Sequence, residues 1–212
     1  MEQFMRLFRR RPDPNIEFQA LRKKLRGSLV PSGLEGSRKF LPAPEVATLV
    51  TTETVRSVLP HDTPPKIIDF ICSHAAKLFL TLVVGGEADP AQLASVLGAC
   101  QKHGMADTLL PIEQMACIGR FTECHSKHDD ALNVFHDEVW ADISFRFHDD
   151  QGMFQSPVFT RDQFIYELKE GCVLPITWRS RHENDGHFST VYEALIHRLH
   201  HDEHVPQQVR SE

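Results

Sequence analysis

Lys66-Ile67-Ile68-Asp69-Phe70-Ile71-Cys72-Ser73-His74-Ala75-Ala76-Lys77-Leu78-Phe79-Leu80-Thr81-Leu82-Val83-Val84 is opened by Pro64-Pro65 and closed by Gly85-Gly86. Its apolar residues recur at helical spacing, prolines stand where a first turn tolerates them, and glycines stand where a helix stops. The spacing predicts one helix across the whole stretch. Past Ala75 it is apolar almost all round, which places it at the centre of a core rather than on a surface. Its longest apolar run, Leu78 to Val84, is far too short to span a bilayer.

Helical signals continue on both sides. Asn15 caps an expected helix from Ile16 to Arg26, with Ile16, Phe18, Leu21 and Leu25 as its apolar stripe. Gly27 to Pro44 reads as a linker, and Glu45 to Leu59 as a second helix ended by Pro60. After the central helix, Asp89-Pro90 starts another that carries Leu93, Val96 and Leu97 and stops at Gly104. Leu109 to His128 is irregular. Asp129 or Asp130 caps a helix bearing Leu132, Val134, Phe135 and Trp140. Ile143, Phe145 and Phe147 alternate like a strand, yet fit a continuing helix equally well. Pro157-Val158-Phe159 is a turn before a short helix, Arg161 to Leu168.

From Val173 the period changes from helical to alternating. Val173-Leu174-Pro175-Ile176-Thr177-Trp178 and Ser189-Thr190-Val191-Tyr192-Glu193-Ala194-Leu195-Ile196 flank Asn184-Asp185-Gly186, a β-hairpin signal. The expected fold is mainly α within an α+β class: a helical module followed by a C-terminal β-hairpin. Three regions follow: a basic arm and linker at 1–44, the helical module at 45–172, and the hairpin with a tail at 173–212. No internal repeat is visible.

Composition narrows the function classes. At 212 residues, 41% hydrophobic and 25% charged, the chain has enough apolar material for one good core and is not a disordered polymer. Arg6 and Arg9-Arg10-Arg11 interrupt the only apolar patch of the N-terminus, so a secretory signal is not expected. Five cysteines, at 72, 100, 117, 124 and 172, are an odd and scattered set, which points to a reducing, intracellular and cytoplasmic setting over a disulfide framework. The net charge of −6 is uneven: residues 1–39 hold ten Lys/Arg against four Asp/Glu, and the rest thirteen against twenty-five. Phe4, Met5 and Phe8 beside Arg6, Arg9 and Arg10 form a short amphipathic pattern, for which a solvated terminus ranks above membrane contact. Nucleic acid is not expected as a partner, because the basic arm lacks interleaved aromatics and any recognisable module.

Three constellations bear on chemistry. Cys117, Cys124, His125 and His128 supply zinc-ligand types as C-x6-C-H-x2-H, with His136 nearby, but adjacent Cys124 and His125 seldom converge on one ion. The His-acid runs His128-Asp129-Asp130, His148-Asp149-Asp150 and His201-Asp202-Glu203 fit a polar surface better than a metal phosphohydrolase. Ser156, Ser180 and Ser189 lack the flanking glycines of a nucleophile elbow.

A fourth is the hairpin tip. Asn184-Asp185-Gly186-His187-Phe188-Ser189-Thr190-Val191 resembles the glycine-rich phosphate loop that opens a protein kinase domain, with Asn184, Gly186 and Ser189 at its three glycine positions. Further ordered pieces extend the likeness: the central helix, Leu110-Pro111-Ile112-Glu113, Phe135-His136-Asp137 with Trp140, Phe154 to Phe159, and Val173-Leu174-Pro175-Ile176. Over roughly residues 60–200 the chain resembles the N-terminal region of a group of fungal proteins whose kinase-like domain follows a helical module. The resemblance implies that Val173–His197 are the first two strands of a kinase N-lobe. It also implies that Val191 lies over adenine, and that Gly186, His187, Phe188 and Ser189 lie over the phosphates. ATP and magnesium enter only through that resemblance.

Phosphoryl transfer needs a phosphate-pairing Lys, a catalytic Asp and metal-binding carboxylates, because its catalysis is positioning and electrostatics. Tyr192 to Glu212 contain no lysine, so no catalytic residue is assigned and no cofactor is expected for this chain alone. The favoured expectation is a non-catalytic regulatory or interaction region of a fungal-type serine/threonine kinase-like protein, carrying a truncated ATP-loop hairpin and partnered by protein or a kinase-like domain. A fragment of an active kinase is the first alternative, and a zinc-stabilised binding module the second.

Overall fold

A computed structural model describes residues 12–34, 36–86, 88–112, 129–140, 143–163, 165–169, 171–181 and 192–201. Among these it is mainly helical, with two small antiparallel sheets. The helices are α1 (Pro14–Ser28), α2 (Ala43–Leu49), α3 (Thr52–Val58), α4 (Pro65–His74), α5 (Ala76–Gly85), α6 (Pro90–His103), α7 (Asp129–Leu132) and α8 (Ser144–Gln151). Strands β1 (Val30–Pro31) and β2 (Lys39–Phe40) make one hairpin, and β3 (Ile176–Arg181) and β4 (Tyr192–Ile196) the other.

The central segment is two helices instead of one. It bends by 100° at Ala75, which sits at φ −136° and ψ 32° between α4 and α5. Long-range capping stabilises the break. The Asp107 carboxylate accepts the Lys77 and Leu78 amides, each at 2.9 Å, and so takes up first-turn N–H groups that a continuous helix would have bonded internally. Composition changes at the same point. α4 is amphipathic, burying Ile67, Ile68 and Ile71, whereas α5 buries every residue from Leu78 to Val84. The break lets the all-apolar half enter the core while the half-polar one stays at its edge. No single helix among the described residues is long and apolar enough to cross a membrane.

The expected second helix is likewise divided, into α2 and α3. Val50 leaves helical geometry, and the Thr51 hydroxyl accepts the Thr54 amide at 3.1 Å as the N-cap of α3. In α1 the cap is Asp13, which accepts from Asn15, and the buried stripe is Phe18, Leu21 and Leu25. Ile16 is 66% exposed, so it lies outside that stripe. The helix runs to Ser28, and the remainder of the expected linker holds the β1–β2 pair. α6 follows its sequence signals closely, with a reciprocal Asp89–Gln92 capping box at its start and Gly104 left-handed at its end.

Packing closes around α5. α1 and α8 lie against it, α1 also packs on α3, and α4 bridges α3 to α6. The C-terminus of α5 is satisfied from α1. Arg22 donates to the Gly85 carbonyl at 3.0 Å, and Arg26 to that of Val84 at 3.1 Å. Gly86, at φ 68°, ends α5 with the Arg22 guanidinium where a side chain would stand.

Residues 129–140 form α7 followed by 3-10 turns at Asn133–His136 and Glu138–Trp140, shorter and tighter than the single helix expected there. Ile143 precedes and Phe145 and Phe147 lie within the start of α8, so the stretch is helical and not a strand. Trp140 packs edge-on to Phe135 and Phe147, at ring separations of 4.9 and 5.2 Å. Gln151, fully inside, pairs its amide with both the N–H and C=O of Ile112, each at 2.6 Å. A buried polar side chain is thereby satisfied, and an irregular strand of backbone is fixed. The helix expected over Arg161–Leu168 does not form in the described part of that stretch. Tyr166 instead folds back, its hydroxyl accepting the Thr160 amide at 2.6 Å and its ring stacking edge-on to Phe159.

Burial pushes the Asp107 carboxyl above its ordinary range, and the two amides it accepts oppose that shift. Replacing Asp107→Ala is expected to lower unfolding free energy by about 1–3 kcal/mol, since two buried amides lose their acceptor. Asp107→Asn should recover about half of that loss. Urea titration followed by circular dichroism measures both; an unchanged midpoint for the alanine variant would show that the break at Ala75 does not rely on this cap.

Candidate functional site

The sequence places candidate chemistry at the tip of the second hairpin. Gly186, His187, Phe188, Ser189 and Val191 lie outside the described residues, as do the turn Asn184-Asp185-Gly186 and the zinc-type ligands Cys117, Cys124, His125 and His128. The two strands that present the tip are described, and so is their root on the helical body.

The two segments pair as an antiparallel hairpin, with β3 starting at Ile176, three residues later than the alternation predicts, and running on to Arg181; Ile176 stands opposite Ile196, Trp178 opposite Leu195, Arg179 opposite Ala194 and Ser180 opposite Glu193. Between Ile176 and Trp178 the register slips by one residue, and Thr177 is the extra one. Its hydroxyl donates to the Leu195 carbonyl at 3.2 Å, tying the irregularity to the opposite strand.

The root is held by polar contacts from four stretches of chain. Gly33 donates to the Ile176 carbonyl at 2.6 Å, and the Ser32 hydroxyl to that of Leu174 at 3.1 Å. A Cβ on Gly33 would stand 2.8 Å from the Thr177 carbonyl group, so only glycine lets the β1–β2 turn come this close. The His197 amide donates to Pro175 at 2.8 Å, and the Phe159 amide to His200 at 2.8 Å. Phe159 and His201 add an isolated parallel bridge.

His200 is the hub of that root. Its side chain is fully buried, its Nδ1 lies 2.8 Å from the Pro157 carbonyl, and its Nε2 accepts the Ala43 amide at 3.1 Å. An N–H at Ala43 and a C=O at Pro157 demand one tautomer, a neutral ring protonated at Nδ1. The ring also packs edge-on to Phe40 at 5.3 Å, and His197 meets the same Phe40 at 5.6 Å. Burial lowers the pKa of both histidines, most directly because a charged ring would be poorly solvated there. His200 was invisible to sequence reasoning, because Arg198-Leu199-His200-His201 has the composition of a solvated segment.

Beyond its root the hairpin is exposed on both faces. Thr177, Trp178 and Arg179 on one strand, and Glu193, Ala194 and Leu195 on the other, face solvent. Trp178 is 47% and Leu195 60% exposed, and they are direct cross-strand partners. The sheet has the order β3–β4 with no further strand beside it among the described residues.

Other candidate groups are dispersed. Cys72, Cys100 and Cys172 are not in disulfides, with Cys100 inside the core and its pKa pushed up by burial, and Cys172 donating to the Gln155 carbonyl. No group of three or more His, Cys, Asp or Glu side chains among the described residues is arranged to hold a metal ion. His148 lies 3.3 Å from its neighbour Asp149, a pair on the rim of α8 rather than part of a convergent acid–base set. Comparison with protein-family models, with curated proteins and with solved structures finds no match.

The lowered pKa of His200 fixes a direction for acid sensitivity. The folded state disfavours the charged ring, so the contribution of His200 is fully present above the ordinary value of 6.5 and is lost as pH falls below it toward the lowered folded value. His200→Ala is expected to reduce stability by about 2–4 kcal/mol at pH 7.5, by leaving the Ala43 amide and Pro157 carbonyl unpaired. It should also flatten the decline in stability between about pH 6.5 and 5, the window below the ordinary histidine pKa. Urea midpoints of both proteins across that range test the point; parallel pH profiles would remove His200 as its source.

Proposed function

We propose that this chain is a non-catalytic interaction and regulatory region of a fungal-type, kinase-like serine/threonine protein. Its helical body roots a hairpin that begins a kinase-like N-lobe. The observation that carries the proposal is the Trp178–Leu195 pair: an exposed apolar cross-strand couple on a two-stranded sheet whose base is fastened to the helical body. Two strands alone are marginal in water, and an exposed aromatic–aliphatic pair on them is suited to being covered by further strands or a partner surface. The preserved order of short pieces from the central helix to Ile196 supports the kinase-like identity of that partner. In this role the body sets where the hairpin stands, and the hairpin offers the docking face.

The contrast between the two tryptophans makes the proposal measurable. Trp140 is fully buried and Trp178 about half exposed, so acrylamide should quench only the emission that Trp178→Phe removes. A polypeptide encoded in frame beyond the Glu212 codon, added in trans, is expected to protect Trp178 from acrylamide, and Leu195→Glu to abolish that protection. With Mg-ATP and a generic serine/threonine substrate, homogeneous protein should transfer no phosphate. Sustained turnover would replace the proposal by the active-kinase alternative, and downstream coding sequence unrelated to a kinase lobe would remove its kinase-linked part.

A further inference from the structure

The second hairpin joins the helical body through residues 197–201, and its attachment there turns on one side chain. The 3-10 turn Arg198–His200 carries His200 fully inside. Its Nε2 accepts the amide of Ala43 at 3.1 Å, a first-turn N–H of α2 for which a helix supplies no internal partner. Its Nδ1 faces the Pro157 carbonyl at 2.8 Å. An amide N–H cannot accept. A proton at Nε2 therefore sets two donors against each other, and the ring cannot be charged and keep both contacts.

The backbone bonds of the root run through the same turn. Phe159 donates to the His200 carbonyl, His200 to that of His197, and His197 to that of Pro175, each at 2.8 Å. A ring that moves far enough to free Nε2 displaces the turn on which those bonds depend.

The surrounding charges do not rescue a protonated ring. Burial opposes its charge most, and Lys77 at the start of α5 opposes it further. Glu45, the acidic residue in the first turn of α2, does not act on it, and β2 brings Lys39, a cation, beside the Phe40 that the ring packs on. His197 lies 6.0 Å away ring to ring and is itself disfavoured as a cation by burial, then by His200, Arg198 and His201. Two carbonyls favour charge. That of Pro157 already accepts Nδ1–H in the neutral ring, and that of Leu41 is outweighed by burial.

We propose that this root is an acid-operated release: a proton at Nε2 of His200 breaks its bond with Ala43 and frees residues 197–201, with the foot of the second hairpin, while the helical core stays folded. α6 belongs to the part that stays, since Asp89, Gln92 and Gly104 cap it without a histidine. The release depends only on the geometry of the root, so it stands whether or not the hairpin is kinase-like or meets a partner.

Amide hydrogen exchange of the full chain by NMR at pH 7.5 and 5.5, corrected for intrinsic rates, tests it without any partner. The freed ring has the ordinary histidine pKa of about 6.5 and the buried one excludes the proton, so opening should rise about tenfold between the two conditions. Protection of the Ala43, Phe159 and His197 amides is expected to fall by that factor, while Leu93, Val96 and Leu97 in α6 change by less than about twofold. His200→Gln offers Ala43 an amide oxygen that does not titrate and should abolish the tenfold response; His197→Gln should retain it. If His200→Gln does not fold, the ring of His200 in the unaltered protein decides: its nitrogen shifts should report the Nδ1–H tautomer at pH 7.5, and protection should be lost as that ring titrates. An Nε2–H tautomer, unchanged protection at pH 5.5, equal losses in α6 and the root, or a full acid response in His200→Gln would overturn the proposal.

Discussion

A helix that buries each of seven consecutive residues, Leu78 to Val84, has no solvent-facing side on which to leave its unpaired end groups. Its first amides and last carbonyls must find partners carried in by other parts of the chain, or the burial that drives folding is cancelled by desolvated backbone. In this protein the partners come from opposite directions in sequence. Asp107 reaches the start of α5 across about thirty residues of chain. Arg22 and Arg26 reach its end across about sixty. Charges match the helix dipole at both ends, a carboxylate at the amide end and guanidinium groups at the carbonyl end. α1, the 3-10 turn at Asp107–Leu109 and α5 are thereby fixed relative to one another.

That requirement shapes the surface as well. Arg22 and Arg26 are brought to the end of α5 to satisfy carbonyls, and α8 packs beside it carrying Arg146, Asp149 and Asp150. The Arg22 pKa is lowered first by burial, then by Arg26 and Arg146, and raised by Asp150, so these side chains share one electrostatic neighbourhood. The two carboxylates sit at the C-terminal end of α8, where a helix dipole disfavours them, and the surrounding cations offset that cost. Capping the buried helix thus brings Arg26 to the surface where α1, the β1–β2 hairpin and α8 meet, beside Arg38 and Arg146.

Local signals in the sequence were legible where the chain satisfies itself locally. The start at Asp89-Pro90 and the stop at Gly104 depend on neighbours within a few residues, and the period-two alternation of Val173–Trp178 and Ser189–Ile196 is likewise visible within each segment, of which Ile176–Trp178 and Tyr192–Ile196 are described as paired strand. Thr51 belongs with them: its hydroxyl acts three residues ahead, and the Thr51-Thr52-Glu53-Thr54 run held a start signal that a reading of Glu45–Leu59 as one helix passed over. The break at Ala75 is different in kind. Periodicity runs unbroken through it, and the contact that stabilises it is Asp107, which no window of helical length contains. Gln151 on Ile112 and His200 between Ala43 and Pro157 are missed for the same reason, since both are polar residues made internal by partners far away in sequence. The loop residues Gly186 to Ser189 and Val191 rest on resemblance alone.

The root of the second hairpin and the outer part of its described strands obey different constraints, and this separation gives the proposed docking role its physical sense. At the root, Gly33 admits close backbone approach, His200 is locked in one tautomer, and Ser32, Phe159 and His197 each direct a hydrogen bond to or from the incoming chain. Movement there would expose several buried polar groups at once, so the base of the hairpin is stiff. Past Thr177, Trp178 and Leu195 stand opposite one another across the strands and are both exposed. A rigid base under an uncovered apolar pair lowers the conformational entropy lost when a partner surface closes over that pair. In the proposed role the helical body would act at a distance from the partner, by fixing where the two strands begin.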